Sequence, residues 1–572
     1  MTKTLISLFS FLFLVAPIFS QKQKQQAKDN NLSKKQTFYY DPSTKNKIES
    51  EGYYYKDDLG ETADRHGEWK FYDEEGNLVE VRHYNRNKLE GEVKRYYKRR
   101  KVKDVGYFKN DLQDSIYIAY SLKGDTSEVG YYKMGNPTGL WRYFYGDGAL
   151  KSVEEIIDTI SYVWQYYSAD SLHKPTIIQG NGEMIDYYSN GYIKSQYHYK
   201  NGLKDSTFFE GSVYNYPLLT GTFEQNLPHG EWRYYFNSGD LQKIVHYNKG
   251  VIEGDYIYYY DNGKVRTEGK YLNGKKDGKW AWYTNIGNID MEGTFKNDLQ
   301  HGAWVYNYPT GELSYRAKYK EGKKDGKWSY YYKNGKKFKV GTFVDDTRNG
   351  MWQTWYENGT LLMEGEYKND KEEGTWKNYW ENGKLKNQSD FKDGELNGEW
   401  FSYYDDGKLL NKGYYNMGLK TGVWTSNYIN GRTKELITYK VISAKSKVKY
   451  GPMKGKVTRK SVENGKAIYY SANDYTRIQE GKYKNGKKNG EWVDYYPGGL
   501  LPKIIANYKN GELNGKMKTY SLNPNIVVSD IEYKHGLKDG KAKIYDKKGK
   551  LIKEVEYKEG MQVGSGNFTP GK

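Results

Sequence analysis

One short pattern returns at a step of 24 residues through most of this chain, and no other feature restricts the fold as strongly. Residues 278–297 read GKWAWYTNIGNIDMEGTFKN, 326–343 read GKWSYYYKNGKKFKVGTF and 374–391 read GTWKNYWENGKLKNQSDF. The leading glycine falls at Gly230, Gly254, Gly278, Gly302, Gly326, Gly350, Gly374, Gly398 and Gly422, with Ser206 one step earlier. Gly67, Gly91, Ser115 and Gly139 keep the same step near the start, and Gly465, Gly490, Gly515, Gly540 and Gly564 extend the series to the end. A chain of 572 residues would ordinarily suggest several domains, but a fixed short period means stacked units that each contact only their neighbours.

Each unit reads as a β-hairpin. Asn334-Gly335 and Asn358-Gly359 are strong turn signals, since both residue types tolerate the positive φ of a two-residue type I′ loop. With that loop, Trp328 lies opposite Gly341 and Trp352 opposite Gly365. An indole facing a residue without a side chain can lie over bare backbone, so the recurrent Trp and Gly are expected to form one packing device. Trp232, Trp280, Trp304, Trp328, Trp352, Trp376, Trp400 and Trp424, with Gly341 and Gly365, are the expected structural residues. Period-two alternation puts Trp352, Thr354 and Tyr356 on one face and Trp355 on the other. Stretches such as Lys320–Gly326 (KEGKKDG) supply the second turn, which reverses into the next hairpin. A lone hairpin is marginal in water, so successive units must pair. The expectation is all-β: an elongated, twisted, single antiparallel sheet solenoid of about 20 units, on the order of 190 Å long at ~4.8 Å per strand.

Two intervals break the step. Gly139 to Gly182 and Gly422 to Gly465 are both 43 residues, and each ends on a unit that continues Tyr-Tyr-Ser. Their 283-residue separation suggests a higher-order duplication. Before the array, Lys3 and the apolar run Leu5–Val15 precede a polar switch at Gln21, which reads as a signal peptide cleaved near Ser20. The run is shorter than the ~20 residues a membrane span needs, and no later segment approaches one. The expected organisation is signal peptide 1–20, disordered polar leader 21–36, repeats 37–149, irregular block 150–181, repeats 182–431, irregular basic block 432–464, repeats 465–564 and tail 565–572.

Stretches such as Glu268–Trp280 (EGKYLNGKKDGKW) and Glu480–Trp492 (EGKYKNGKKNGEW) resemble MORN repeats, the membrane occupation and recognition nexus family. The 24-residue step, the Trp and the added Asn-Gly hairpin are similar to the bacterial variant of that repeat, often labelled a toxin–antitoxin antitoxin component. The resemblance runs over about residues 37–564. It implies a hairpin array and, from relatives, either a lipid surface or an antitoxin-like role.

The chemistry-bearing residues are sparse. The absence of Cys excludes disulfides, thiolate metal sites and a Cys nucleophile. His66, His229, His301 and His535 each precede a turn glycine and read as solvated turn residues. No metalloprotease, P-loop or nucleophile-elbow pattern occurs in its required context. Neither a catalytic, metal nor cofactor site is expected, and the chain is read as a non-enzyme.

Candidate binding residues lie in three places. Trp164, Tyr166 and Tyr167 fall outside the repeat phase, so their rings are free to stack on a ligand. The stretch from Lys440 to Lys460 holds Lys445, Lys447, Lys449, Lys454, Lys456, Arg459 and Lys460 without one acid. With a net charge of +18, it makes an anionic surface a candidate partner, although export disfavours nucleic acid. Trp355 faces away from the main indole row. Paired lysines such as Lys275-Lys276, Lys323-Lys324 and Lys487-Lys488 read as turn residues that keep sheets from sticking. The expected function is an exported repeat scaffold that binds a protein at the periplasm, cell envelope or outside. The alternatives are a receptor for envelope polysaccharide or the antitoxin-like or lipid-binding role of the family.

Overall fold

The computed structural model describes residues 31–445 and 457–567, with only the backbone for Ala444, Lys445 and Asn567. The signal peptide therefore lies outside the described residues. The chain divides into two units, residues 1–263 and 264–572. In the first, strands run from Gln36–Tyr39 to Val251–Tyr259; in the second, from Val265–Leu272 to Met561–Asn567. Within each unit successive strands pair antiparallel, the short pieces Lys323–Lys324 and Lys487–Lys488 pairing back on the strand before them, so each is a β-meander, as the repeat demanded. Among the described residues the only helical element is the 3-10 turn Lys98–Arg100.

The two-residue type I′ geometry expected of the Asn-Gly turn is found instead at the other turn of the repeat. Gly335 takes φ 80° while Asn334 does not enter the positive region. Tyr332 N–H donates to Lys336 O at 2.8 Å, and Gly335 N–H donates to Tyr332 O at 2.9 Å. This is a three-residue loop closed by a left-handed glycine, not a two-residue type I′ loop. The type I′ geometry belongs to the other turn: Asp345 and Asp346 take φ 46° and 69°, and Asn369 and Asp370 take 50° and 64°. The register survives the longer loop because a bulge at Tyr330/Tyr331 absorbs the extra residue, leaving Trp328 opposite Gly341 and Trp352 opposite Gly365.

The indole that covers each glycine is not its hairpin partner. A Cβ added to Gly341 would stand 2.1 Å from Trp352 Cδ2, and one added to Gly365 would stand 2.1 Å from Trp376 Cδ2. Four of these indoles also donate Nε1–H to a carbonyl ten residues earlier, Trp280 to Lys270, Trp304 to Thr294, Trp352 to Thr342 and Trp376 to Glu366, at 3.1–3.3 Å, whereas Trp141 and Trp424 cover Gly130 and Gly413 without that bond. The Trp–Gly device thus joins one hairpin to the one before it. Trp232, Trp280, Trp304, Trp328, Trp352, Trp376 and Trp424 are buried. A second link closes the opposite end of the strands: Tyr308, Tyr332 and Tyr356 donate their hydroxyls to the carbonyls of Tyr331, Trp355 and Tyr379, 23 residues on. Burying an indole removes ~150–250 Å² from water, on the order of 4–6 kcal/mol before entropy, against ~1 kcal/mol for one hydroxyl bond. The indole row is therefore the main cement between units.

The two 43-residue breaks are built differently. In the first, an extra hairpin, Ile160–Tyr167 and Pro175–Ile178, is inserted in the meander and paired on both sides. In the second, the arms of one existing hairpin are lengthened to Thr433–Lys445 and Val457–Tyr470. Equal length reflects no shared architecture, so the duplication inferred from spacing has no counterpart in the topology. The sheet also starts before residue 37. Leu32 bridges Tyr55, Ser33 is buried, and Ser33 N–H donates to Tyr54 O at 2.9 Å, so residues 31–36 of the presumed leader are tied to the first strands.

Candidate functional site

One face of the sheet carries the indoles and a row of cations. Lys276 Nζ lies 4.5 Å from the Trp280 ring centroid and 5.2 Å from that of Phe295. Lys324 stands in the same way over Trp328 at 5.1 Å, Lys420 over Trp424 at 4.1 Å and Lys488 over Trp492 at 4.1 Å. Each of these lysines is four residues before its Trp, so the turn folds it back across the face. Burial holds the Lys204 and Lys488 ammonium groups below the usual lysine range. The second lysine of each turn pair is thus a packing residue, bound to the rings by cation–π attraction, rather than the solvated charge its sequence position suggested.

The other face repeats a polar set. Tyr283, Tyr379 and Tyr495 donate their hydroxyls to Glu268, Glu364 and Glu480, each 15 residues earlier, at 2.5–2.8 Å. Burial first, and the bond to glutamate second, push all three phenols up to about 12. Lys279 reaches Glu292 at 2.8 Å on the same face. Trp355 lies half-buried here, its carbonyl engaged by Tyr332 and Lys337 Nζ 5.8 Å from its ring.

The out-of-phase rings separate. Tyr166 is 1% exposed, packs with Val163, Ile177 and Tyr199, and donates its hydroxyl to Asp186 at 3.1 Å. It is a core residue of the inserted hairpin, with no face left for a ligand. Trp164 points the other way, half-buried, stacked at 6.5 Å on Tyr162 and donating Nε1–H to Glu155 at 3.0 Å. Tyr167 is half-buried, and its carbonyl accepts the Tyr145 hydroxyl at 2.7 Å. The structure therefore does not gather the three rings into one site. Of the basic block, Arg459 and Lys460 are exposed on the lengthened hairpin; Lys447, Lys449, Lys454 and Lys456, and the Lys445 side chain, lie outside the described residues.

Trp400 departs from its row. It pairs with Ser389 in place of a glycine, is only half-buried, and forms no indole bond of the ten-residue kind. Its ring leans on Trp424 at 5.4 Å and 30°. Beside these rings lies a cavity of about 140 Å³, which sequence reasoning missed; the signal was present in Ser389 standing where other units have Gly.

His66, expected in solvent, is buried; it stacks edge-on against Tyr55 at 5.1 Å, and its Nδ1 accepts from Arg86 N–H. Among the described residues no three His, Asp or Glu side chains converge as metal ligands, and no helix is long and apolar enough to cross a membrane.

Known structures offer little for comparison. A crystal structure of TcdB2–TccC3 aligns at 12% identity over 86% of this chain and 28% of its own length, with a TM-score of 0.12. Choline binding protein F from Streptococcus pneumoniae, solved with a peptidoglycan analogue, aligns at 16% identity over 45% of this chain and 90% of its own, also at 0.12. The chain thus spans under a third of the first of these. No curated protein matches it. A family model described as the MORN repeat variant does match, at residues 65–86, 181–201, 228–249, 252–273, 324–345, 348–369, 372–393, 396–417 and 538–559. The chain belongs to the MORN repeat family.

Proposed function

We propose that the protein is a non-catalytic scaffold, exported across a membrane, that binds a partner protein at the cell envelope along the polar face of its repeats. One observation carries this reading: the Tyr–Glu pairs of Tyr283, Tyr379 and Tyr495 return in the same relation 15 residues apart, with lysines beside them. A surface that offers the same phenol–carboxylate pair in several of its repeats suits a partner engaged at more than one equivalent point, where affinity builds by multivalency. Fold alone does not specify function, and the indole face, closed by its own lysines, leaves fewer rings for stacking than a glycan array would need.

Lys377 stands across the strands from Glu364 and Lys466 Nζ lies 3.9 Å from Glu480, so the full chain bearing Lys279→Glu, Lys377→Glu and Lys466→Glu singly and together tests it. Capture of one envelope protein that weakens stepwise with each reversal is expected. Capture indifferent to all three overturns the reading. Binding of the unaltered chain only to polysaccharide, to anionic vesicles or to a cytoplasmic toxin would favour the polysaccharide, lipid-surface or antitoxin-like role instead. Export is tested on the cells that make the protein: a recovered chain beginning near Gln21 supports it, and one retaining the Leu5–Val15 run in the cytoplasm overturns it.

A further inference from the structure

Around Trp400 two rows change together. Two residues beyond each repeat Trp, the indole face carries Trp282, Tyr306 and Tyr330 in consecutive units, and then Thr354, Asn378, Ser402 and Ser426. Rings give way to short polar side chains joined to one another: Asn411 Nδ2 donates to Ser402 Oγ at 3.0 Å, and Ser426 Oγ donates to Asn411 Oδ1 at 2.8 Å. The space left by the missing rings is the cavity beside Trp400 and Trp424.

Its walls hold complementary chemistry. Trp400 presents a half-exposed ring because Ser389 denies it the bare backbone its counterparts cover. Trp424 lines the same cavity. It is 7% exposed and lies over Gly413. Lys420 and Glu435 add a cation and a carboxylate to the lining.

We propose that this cavity binds one pyranose unit of a neutral saccharide. A cationic ligand would compete with the Lys420 ammonium, already 4.1 Å from the Trp424 ring centroid and 5.5 Å from that of Tyr439. A simple anion would be repelled by Glu435. A sugar ring satisfies both signs at once: its hydroxyls accept from Lys420 and donate to Glu435, and its C–H face lies on Trp400. About 140 Å³ holds one such ring rather than an oligomer, which would extend over the open side.

Titration of the full chain with chitotriose, maltotriose and cellotriose, followed by calorimetry and tryptophan fluorescence, tests this. Diglycine and acetate serve as zwitterionic and anionic comparators. At least one trisaccharide should bind and shift the indole emission, and Trp400→Ala should weaken it by about tenfold or more. Ser426→Tyr restores the residue found at Tyr306 and Tyr330, so it should fill the cavity and abolish binding with the melting temperature unchanged or raised. The proposal is overturned by binding of no trisaccharide, by saccharide binding that survives Ser426→Tyr, or by tighter binding of diglycine or acetate.

Discussion

The indole of Trp352 lies on the backbone of Gly341 and donates Nε1–H to the carbonyl of Thr342 at 3.3 Å, joining its own hairpin to the preceding one. The chain contains variants of this contact. Trp328 covers the position of Ala317 and keeps its bond, to Lys318 O at 3.2 Å, whereas Trp400 opposite Ser389 is half-exposed and has none. The ring therefore stays buried over a methyl group and is left half-exposed at a hydroxymethyl.

Gly341→Ala should accordingly cost about 1–2 kcal/mol, since the ring must shift to admit the new Cβ. Gly341→Ser should cost more and make Trp352 accessible to a soluble quencher. Ser389→Gly should do the reverse, burying Trp400 and shrinking the cavity beside it. Hydrogen exchange is the suitable measurement, because a repeat array of this length has no single unfolding free energy. Equal protection around residue 341 in the wild type and Gly341→Ser proteins would contradict the argument.

Much of this contact was legible in the sequence, and the missing part is instructive. Spacing alone places Trp328 and Trp352 against Gly341 and Gly365, because strand alternation and loop length fix register. Gly341, however, has an indole on each side, Trp328 within its hairpin and Trp352 beyond it. Pair counting cannot choose between them; the direction in which the ring leans does. The turns were misassigned for a related reason. Asn-Gly suits either loop type, and the bulge at Tyr330/Tyr331 erases the register difference that would have told them apart. The Trp400 cavity needed a comparison across rows, of Ser389 with its equivalent glycines and of Ser426 with Tyr330, rather than a motif.

Ser115 and Ser206 occupy the position where most units start with glycine, and they take φ 79° and 73°. An L side chain in that conformation costs roughly 1–2 kcal/mol relative to glycine. Ser115→Gly and Ser206→Gly should each stabilise the surrounding strands by about 1 kcal/mol, read as slower exchange of the amides flanking residues 115 and 206. Faster exchange in either variant would mean that the serine hydroxyl compensates for the strain.

The link at the other end of the strands is the Tyr332 hydroxyl on Trp355 O at 2.8 Å. Tyr332→Phe keeps the ring and removes the donor, so about 1 kcal/mol should be lost and exchange should quicken at the turns of the two joined hairpins. Tyr356→Phe should do the same one unit on, where the hydroxyl meets Tyr379 O at 3.0 Å. Effects that spread beyond adjacent units would argue against the nearest-neighbour description.

Alkaline pH should loosen the protein through its phenols. An ordinary tyrosine titrates near 10, whereas Tyr283, Tyr379 and Tyr495 are pushed up to about 12 by burial and by their bonds to Glu268, Glu364 and Glu480. A raised folded value means that between these limits the folded chain keeps protons the unfolded chain has released. Their contribution to stability is whole below about pH 10 and is lost as the pH climbs towards about 12. Lys204, Lys243 and Lys488 act in the opposite sense, since burial lowers their values and their discharge removes a desolvation cost. The phenols outnumber them, with Tyr72, Tyr117 and Tyr143 also raised to about 12, so the net slope should be downward. Tyrosinate absorbance of the folded chain should lag that of the urea-unfolded chain, and the melting temperature should fall over the same interval. Titration curves that coincide would show that the hydroxyls on the polar face are not held as described.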